Sequence, residues 1–294
     1  MSNMKNVTRR TALKAILATG AIASVPTLSA SNIFNNTKQE PLKGNIRHSV
    51  SKWCFGDIPL DEFCKICKRI GIESVELLDP EEWQTVFNNG LTVAMAQGAG
   101  LGIDRGFNQL ELHDELVASY EKVIPMVAQA GLTNLICFSG RRNGVTDLEG
   151  WQNCEKGLKR IVPIAEKYNV VLTMELLNSV GHKDYLCDHT VWGAELCRRM
   201  GSPNFKLLYD IYHMQIMEGN IIEHIQKYHQ YFSHIHTGGN PGRNEIDETQ
   251  ELYYPAIMRA IVATGYKGFV GQEFVPKQKN KIASLEKCIR ICDV

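Results

Sequence analysis

The chain is 294 residues long, 44% hydrophobic and 22% charged, which is ordinary for a folded protein with enough apolar material for a sizeable core. Thirty-two basic residues balance 32 acidic ones, which argues against a nucleic-acid surface or a basic membrane patch. This composition excludes a coiled coil, a disordered chain and a disulfide mini-scaffold, and selects no activity.

The charge is uneven along the chain. Residues 1–30 carry Lys5, Arg9, Arg10 and Lys14 and no acid, leaving 28 basic residues against 32 acidic ones in the rest. Thr8-Arg9-Arg10-Thr11-Ala12-Leu13-Lys14 precedes an apolar run over 15–23 and small residues up to Ala30. That order of basic, apolar and small residues predicts a cleaved signal over 1–30. The paired arginines followed by Leu-Lys resemble a twin-arginine export signal, which implies an exported, periplasmic protein. The apolar run falls short of the about 20 residues that span a bilayer, so no stable membrane anchor is expected. Residues 31–45 are polar and read as a linker.

From residue 46 to 294, β-type runs alternate with helical ones. In chain order, the spacing predicts a strand at 47–55, a helix at 60–70, a strand at 74–78 and a helix at 80–88. Strands at 91–96 and 134–138 follow, with helices at 111–130 and 149–168. The last strands are expected at 170–175, 205–210, 231–236 and 268–273, with helices at 189–200, 217–229, 251–264 and 281–292. Eight βα units in one stretch predict an α/β fold, a single (β/α)8 TIM barrel. Gly98-Ala99-Gly100-Leu101-Gly102 lacks the strand, helix and downstream acid of a dinucleotide loop and reads as a βα connection.

Nine cysteines follow residue 30, so at least one thiol is unpaired. Cys64 and Cys67 share one face of the 60–70 segment, and no second such pair accompanies them to complete a zinc site. They read as core thiols.

In a barrel of this kind the active site forms at the C-terminal ends of the strands. The fifth predicted strand runs into Glu175 and the sixth into Asp210. The seventh ends His234-Ile235-His236, and the eighth runs into Glu273. A carboxylate at the end of an apolar strand is costly unless it is solvated, paired or bound to a cation. Three carboxylates and an imidazole on consecutive strands therefore point to one divalent metal ion over a salt-bridge network. Mn²⁺, Mg²⁺, Co²⁺ and Zn²⁺ all suit such a set.

The segments Met174-Glu175-Leu176-Leu177-Asn178, Tyr209-Asp210-Ile211-Tyr212-His213, His234-Ile235-His236-Thr237-Gly238-Gly239-Asn240-Pro241-Gly242-Arg243 and Gly271-Gln272-Glu273-Phe274 resemble the xylose-isomerase-like TIM-barrel superfamily. Within it they look most like the hydroxypyruvate isomerase branch, with ketose 3-epimerases as close relatives. The resemblance covers 46–294. It implies metal ligands at Glu175, Asp210, His236 and Glu273, with Mn²⁺ or Mg²⁺ favoured. It also implies that Glu175 and Glu273 double as the acid/base pair, and that His213 and Arg243 hold substrate oxygens. The partner it implies is a small sugar or sugar acid. Self-association into a homo-oligomer is left open.

The chemistry explains the residue types. Isomerising an α-hydroxy carbonyl through a cis-enediolate needs a cation to stabilise the oxyanion and two carboxylates to remove and deliver the proton. Alternatives are a ketose 3-epimerase, with the same metal and glutamates, and a non-catalytic periplasmic sugar-binding protein. Lesser candidates for pocket or anion contacts are Trp53, Glu76, His113, Arg141, Arg142 and His182.

Overall fold

The computed structural model describes residues 40–294; the predicted signal and residues 31–39 of the predicted linker lie outside them. Seven strands form one parallel sheet: β1 (Arg47–Ser51), β2 (Ser74–Glu76), β3 (Asn134–Cys137), β4 (Val171–Glu175), β5 (Phe205–Asp210), β6 (Phe232–Thr237) and β7 (Phe269–Gln272). Their spatial order is β2-β1-β7-β6-β5-β4-β3, so the sheet curls in sequence order from β3 to β7 and on through β1 to β2. The helices are α1 (Leu60–Ile70), α2 (Trp83–Asn88), α3 (His113–Gln129), α4 (Asp147–Tyr168), α5 (Thr190–Met200), α6 (Ile211–Met217), α7 (Ile221–Tyr228), α8 (Tyr254–Ala263) and α9 (Lys281–Cys292).

The predicted strand at 91–96 is the main departure. It occupies the barrel position between β2 and β3 but forms only isolated bridges, Ser74 with Thr92, Leu78 with Ala96, and Ala96 with Leu135. Side chains explain the broken ladder. Ala94 N–H donates to Ser74 Oγ (2.8 Å), and Asn134 Nδ2 donates to Ala94 O (2.9 Å). Both backbone groups of Ala94 are thus taken by side chains rather than by neighbouring strands. The first predicted strand is also too long, because Lys52–Phe55 turns into a short 3₁₀ segment. β2 stops at Glu76, and Leu77 has a left-handed φ of 57°.

Helix boundaries follow local chemistry. α1 buries Phe63, Cys64, Cys67 and Ile70 on one face, carries Asp61 and Glu62 in its first turn, and ends at Gly71 with φ 94°. Thr146 and Glu149 form a reciprocal capping box on α4. α6, unassigned in the sequence, starts because Asp210 caps it by accepting from His213 N–H (3.1 Å). At the other end, Lys43 N–H donates to Asp293 Oδ1 (2.9 Å) and Asn45 Nδ2 to Val294 O (2.8 Å).

All nine cysteines are buried and unpaired. Burial pushes the Cys64 thiol up to about 11 and lifts Cys67 well above the ordinary thiol range. Thiols held protonated are poor nucleophiles and poor metal ligands, as the core-thiol reading requires. Among the described residues no helix is long and apolar enough to cross a membrane.

Candidate metal centre and active site

Residues on a strand alternate between the two faces of a sheet, so each strand offers the barrel interior every second side chain. That alternation turns Glu175, Asp210, His234, His236 and Glu273 toward the barrel axis. Register completes the convergence: Asp210 on β5 lies level with His236 on β6, and His236 with Gly271 on β7. One ligand atom each from Glu175, Asp210, His236 and Glu273 falls within 4.8 Å of the others, and all four residues are buried. β4 and β7 are separated by β5 and β6, so Glu175 and Glu273 approach this point from different sides.

His236 has distinct roles for its two nitrogens. Nε2 is 2.8 Å from Glu76 Oε1, whereas Nδ1 is 2.7 Å from Glu273 Oε2, 3.7 Å from Glu175 Oε1 and 4.0 Å from Asp210 Oδ2. Nδ1 is buried and makes no hydrogen bond of proper geometry. An imidazole with one nitrogen tied to a carboxylate and the other left bare among acids is how proteins hold histidine for a metal. Three carboxylate oxygens and one imidazole nitrogen therefore form a set that can hold a divalent cation.

Arg243 brings a permanent positive charge to the site. Its guanidinium donates to Asp210 Oδ2 (3.1 Å), to the Glu273 carboxylate and to Glu273 O (3.1 Å). Trp53 and Tyr212 flank it, each ring centroid 5.3 Å from Cζ. Its backbone φ of 57° is left-handed, in a loop where a Cβ on Gly239 would strike Glu245 O. One arginine does not balance three carboxylates. Burial pushes Asp210 up to about 7 despite Arg243, and burial likewise raises Glu175. Glu273 is also buried, but Arg243 and His236 hold it well below the usual carboxylate range, and Trp53 Nε1 donates to its Oε1 (2.6 Å). The surplus negative charge is what a divalent cation would neutralise.

Asn178 N–H donates to His213 Nδ1 (3.1 Å), and burial holds the ring well below the usual histidine range. The neutral ring therefore carries its proton on Nε2, which is buried, unpartnered and 3.6 Å from Asp210 Oδ2. Beside these groups opens a cavity of about 740 Å³, walled by Trp53, Leu101, Phe138, Glu175, His182, Arg243 and Glu273 among others.

The lesser candidates divide. Trp53 and His182 reach the cavity, and the His182 ring centroid lies 5.3 Å from that of His213. His113 is drawn into the α3–α4 contact, Nε2 2.8 Å from Phe107 O. Arg141 pairs with Asp104 (2.7 Å) and Arg142 with Asp147 (2.8 Å). The roles of Tyr212, Asn178 and His234 were not read from the sequence; the His234-Ile235-His236 alternation, which turns both imidazoles inward, was the available signal for the last.

The fold and site thus define a parallel βα barrel with an acidic, histidine-containing mouth. The xylose isomerase-like TIM barrel family matches residues 55–291, and the chain belongs to that family. Hydroxypyruvate isomerase of Escherichia coli is 31% identical over 111 residues, 38% of this chain and 43% of that protein. 2-Oxo-tetronate isomerase of Pectobacterium atrosepticum is 23% identical over 240 residues, 77% of this chain and 90% of that protein. Relatives from human, Xenopus laevis and Danio rerio are matched over 44, 60 and 44% of their length, so the chain spans about half the length of these curated relatives. A crystal structure of AP endonuclease, family 2, from Brucella melitensis shares the fold with a TM-score of 0.73 and 22% identity, over 82% of this chain and 97% of that one.

Proposed function

We propose that the chain is a metal-dependent isomerase of small hydroxy-carbonyl sugars or sugar acids, acting by the hydroxypyruvate isomerase type of reaction (hydroxypyruvate to tartronate semialdehyde). The observation that carries this reading is the His236 Nδ1 without a hydrogen bond among three buried carboxylates, two of which, Glu175 and Glu273, line a substrate-sized cavity. The names of the E. coli and P. atrosepticum relatives support it.

Glu175, Asp210, His236 and Glu273 would hold one divalent ion, with Mn²⁺ or Mg²⁺ favoured over Co²⁺ or Zn²⁺. Once bound, the ion supplies Lewis-acid stabilisation of the oxyanion that develops as the substrate enolises. The chain's own residues do the rest. One of the two glutamates, Glu175 and Glu273, takes the proton from the carbon next to the carbonyl. A protonated glutamate then returns a proton to the former carbonyl carbon, while the hydroxyl proton passes to the former carbonyl oxygen, so that hydroxyl and carbonyl exchange places. His213 offers its Nε2–H to a substrate oxygen, and Arg243 both steadies Glu273 and presents its guanidinium at the cavity wall. The apolar rings of Trp53 and Phe138 keep water from the reacting carbons.

A ketose 3-epimerase is the second reading, favoured by a cavity of about 740 Å³ that has room for a longer polyol. One experiment addresses both. Metal content is measured in the purified protein, which is then incubated in D₂O with hydroxypyruvate and a panel of ketoses, with Mn²⁺ and with Mg²⁺. Deuterium is expected at the carbon next to the carbonyl; its absence from every substrate would leave a binding protein.

We further propose that residues 1–30 are a twin-arginine signal, 31–45 a linker and 46–294 the catalytic domain, delivered to the periplasm. Replacing Arg9 and Arg10 with Lys is expected to trap the precursor in the cytoplasm. Normal periplasmic delivery of the double variant, read by fractionation, would refute that route.

A further inference from the structure

Below the proposed ligands lies a second buried cluster, Glu76 with His234 and His236, of which the reaction above uses only His236. Glu76 ends β2, 158 and 160 residues before the two imidazoles it meets. Its Oε1 lies 2.9 Å from His234 Nε2 and 2.8 Å from His236 Nε2, and its Oε2 accepts from Ser49 Oγ (2.5 Å). A carboxylate surrounded by three donor groups acts only as an acceptor, so both Nε2 atoms carry protons. The pair is also built for: a Cβ on Gly271 would overlap Glu76 Oε1 and lie 2.9 Å from His236 Cδ2. With Nε2–H committed to Glu76, the nitrogen of His236 left to a cation is Nδ1, the atom that faces Glu175, Asp210 and Glu273. The cluster is not a second cation site, because the oxygen nearest both rings is already shared between two N–H groups.

We infer that Glu76 is a positioning residue that fixes His236 in the tautomer and orientation able to bind a divalent cation through Nδ1. The inference rests on the metal reading of the neighbouring site. The test uses Mn²⁺ titration of the full-length protein, followed by the signal of the free ion in electron paramagnetic resonance. Glu76→Gln keeps the side-chain volume beside Gly271 but turns one acceptor oxygen into an amide donor. It is expected to bind Mn²⁺ about 10- to 100-fold more weakly than wild type, with unchanged circular dichroism. An independent readout needs no variant: in wild type loaded with Zn²⁺, nitrogen-15 spectra should show the His236 proton on Nε2 and none on Nδ1. Equal Mn²⁺ affinity in folded Glu76→Gln, or a proton on Nδ1 in the zinc-loaded wild type, would overturn the role of Glu76 while leaving the metal site standing. Wild type that binds neither Mn²⁺ nor Zn²⁺ would overturn the metal reading, and this inference with it.

Discussion

Glu175→Gln and Glu273→Gln are each expected to lower turnover by about 10²- to 10⁴-fold, the usual contribution of a general acid or base, while substrate binding changes far less. The two variants are not equivalent. Glu273 accepts from Trp53 Nε1 on one oxygen and from Arg243 on the other. A glutamine amide nitrogen at 273 must face one of those donors, so this variant also disturbs Arg243. Glu175 has no comparable side-chain hydrogen bonds; its nearest ionic neighbour is His236 Nδ1 at 3.7 Å. Glu175→Gln is therefore the cleaner test, with metal content measured in the same sample because each glutamate is also a proposed ligand. The decisive measurement is exchange of the carbon-bound substrate hydrogen with solvent. If both variants, fully metallated, exchange it at the wild-type rate, these glutamates do not move the proton.

The site's outline was legible because barrel geometry places function at strand ends, and Glu175, Asp210 and Glu273 each follow an apolar strand too buried to hold an acid without reason. The cysteine reading held for a similar reason: Cys64 and Cys67 sit three residues apart on the buried face of α1. What stayed hidden depends on contacts that no local pattern encodes. Glu76 could be seen at the end of a strand, but its bond to His236 spans 160 residues and two strands that are not neighbours. The pairing of Arg243 with Asp210 depends on a left-handed turn in the loop after β6. The irregular 91–96 segment has strand-forming residues, and only the side chains of Ser74 and Asn134, on the elements beside it, show why the ladder breaks. α6 was obscured by its own cap, since Asp210 serves both as strand end and as helix N-cap.

Asp210→Asn and His236→Ala are expected to weaken divalent-metal binding by more than the roughly 10²-fold ceiling typical of losing an outer hydrogen-bond partner, because each removes a ligand itself. Asparagine caps a helix about as well as aspartate, so α6 should survive the first substitution. His236→Ala leaves Glu76 with His234 and Ser49 still in place. The same site predicts a pH dependence with a definite sign. In the metal-free protein burial holds the Asp210 carboxyl up to about 7. His236 is held protonated well above its ordinary range: burial opposes the charge, but Glu273, Glu175 and Glu76 outweigh it. A cation must displace those protons to reach Oδ2 and Nδ1. Wild-type affinity for Mn²⁺ should therefore rise from about pH 6 to about pH 8, by up to about tenfold per pH unit for each proton displaced. Asp210→Asn removes one of the two titrating ligands, so its residual binding should depend less steeply on pH. Calorimetric titrations in two buffers of different ionisation heat would count the released protons directly. A dissociation constant that stays flat across that range in wild type, with no proton release, would mean that the ion binds somewhere other than among Glu175, Asp210, His236 and Glu273.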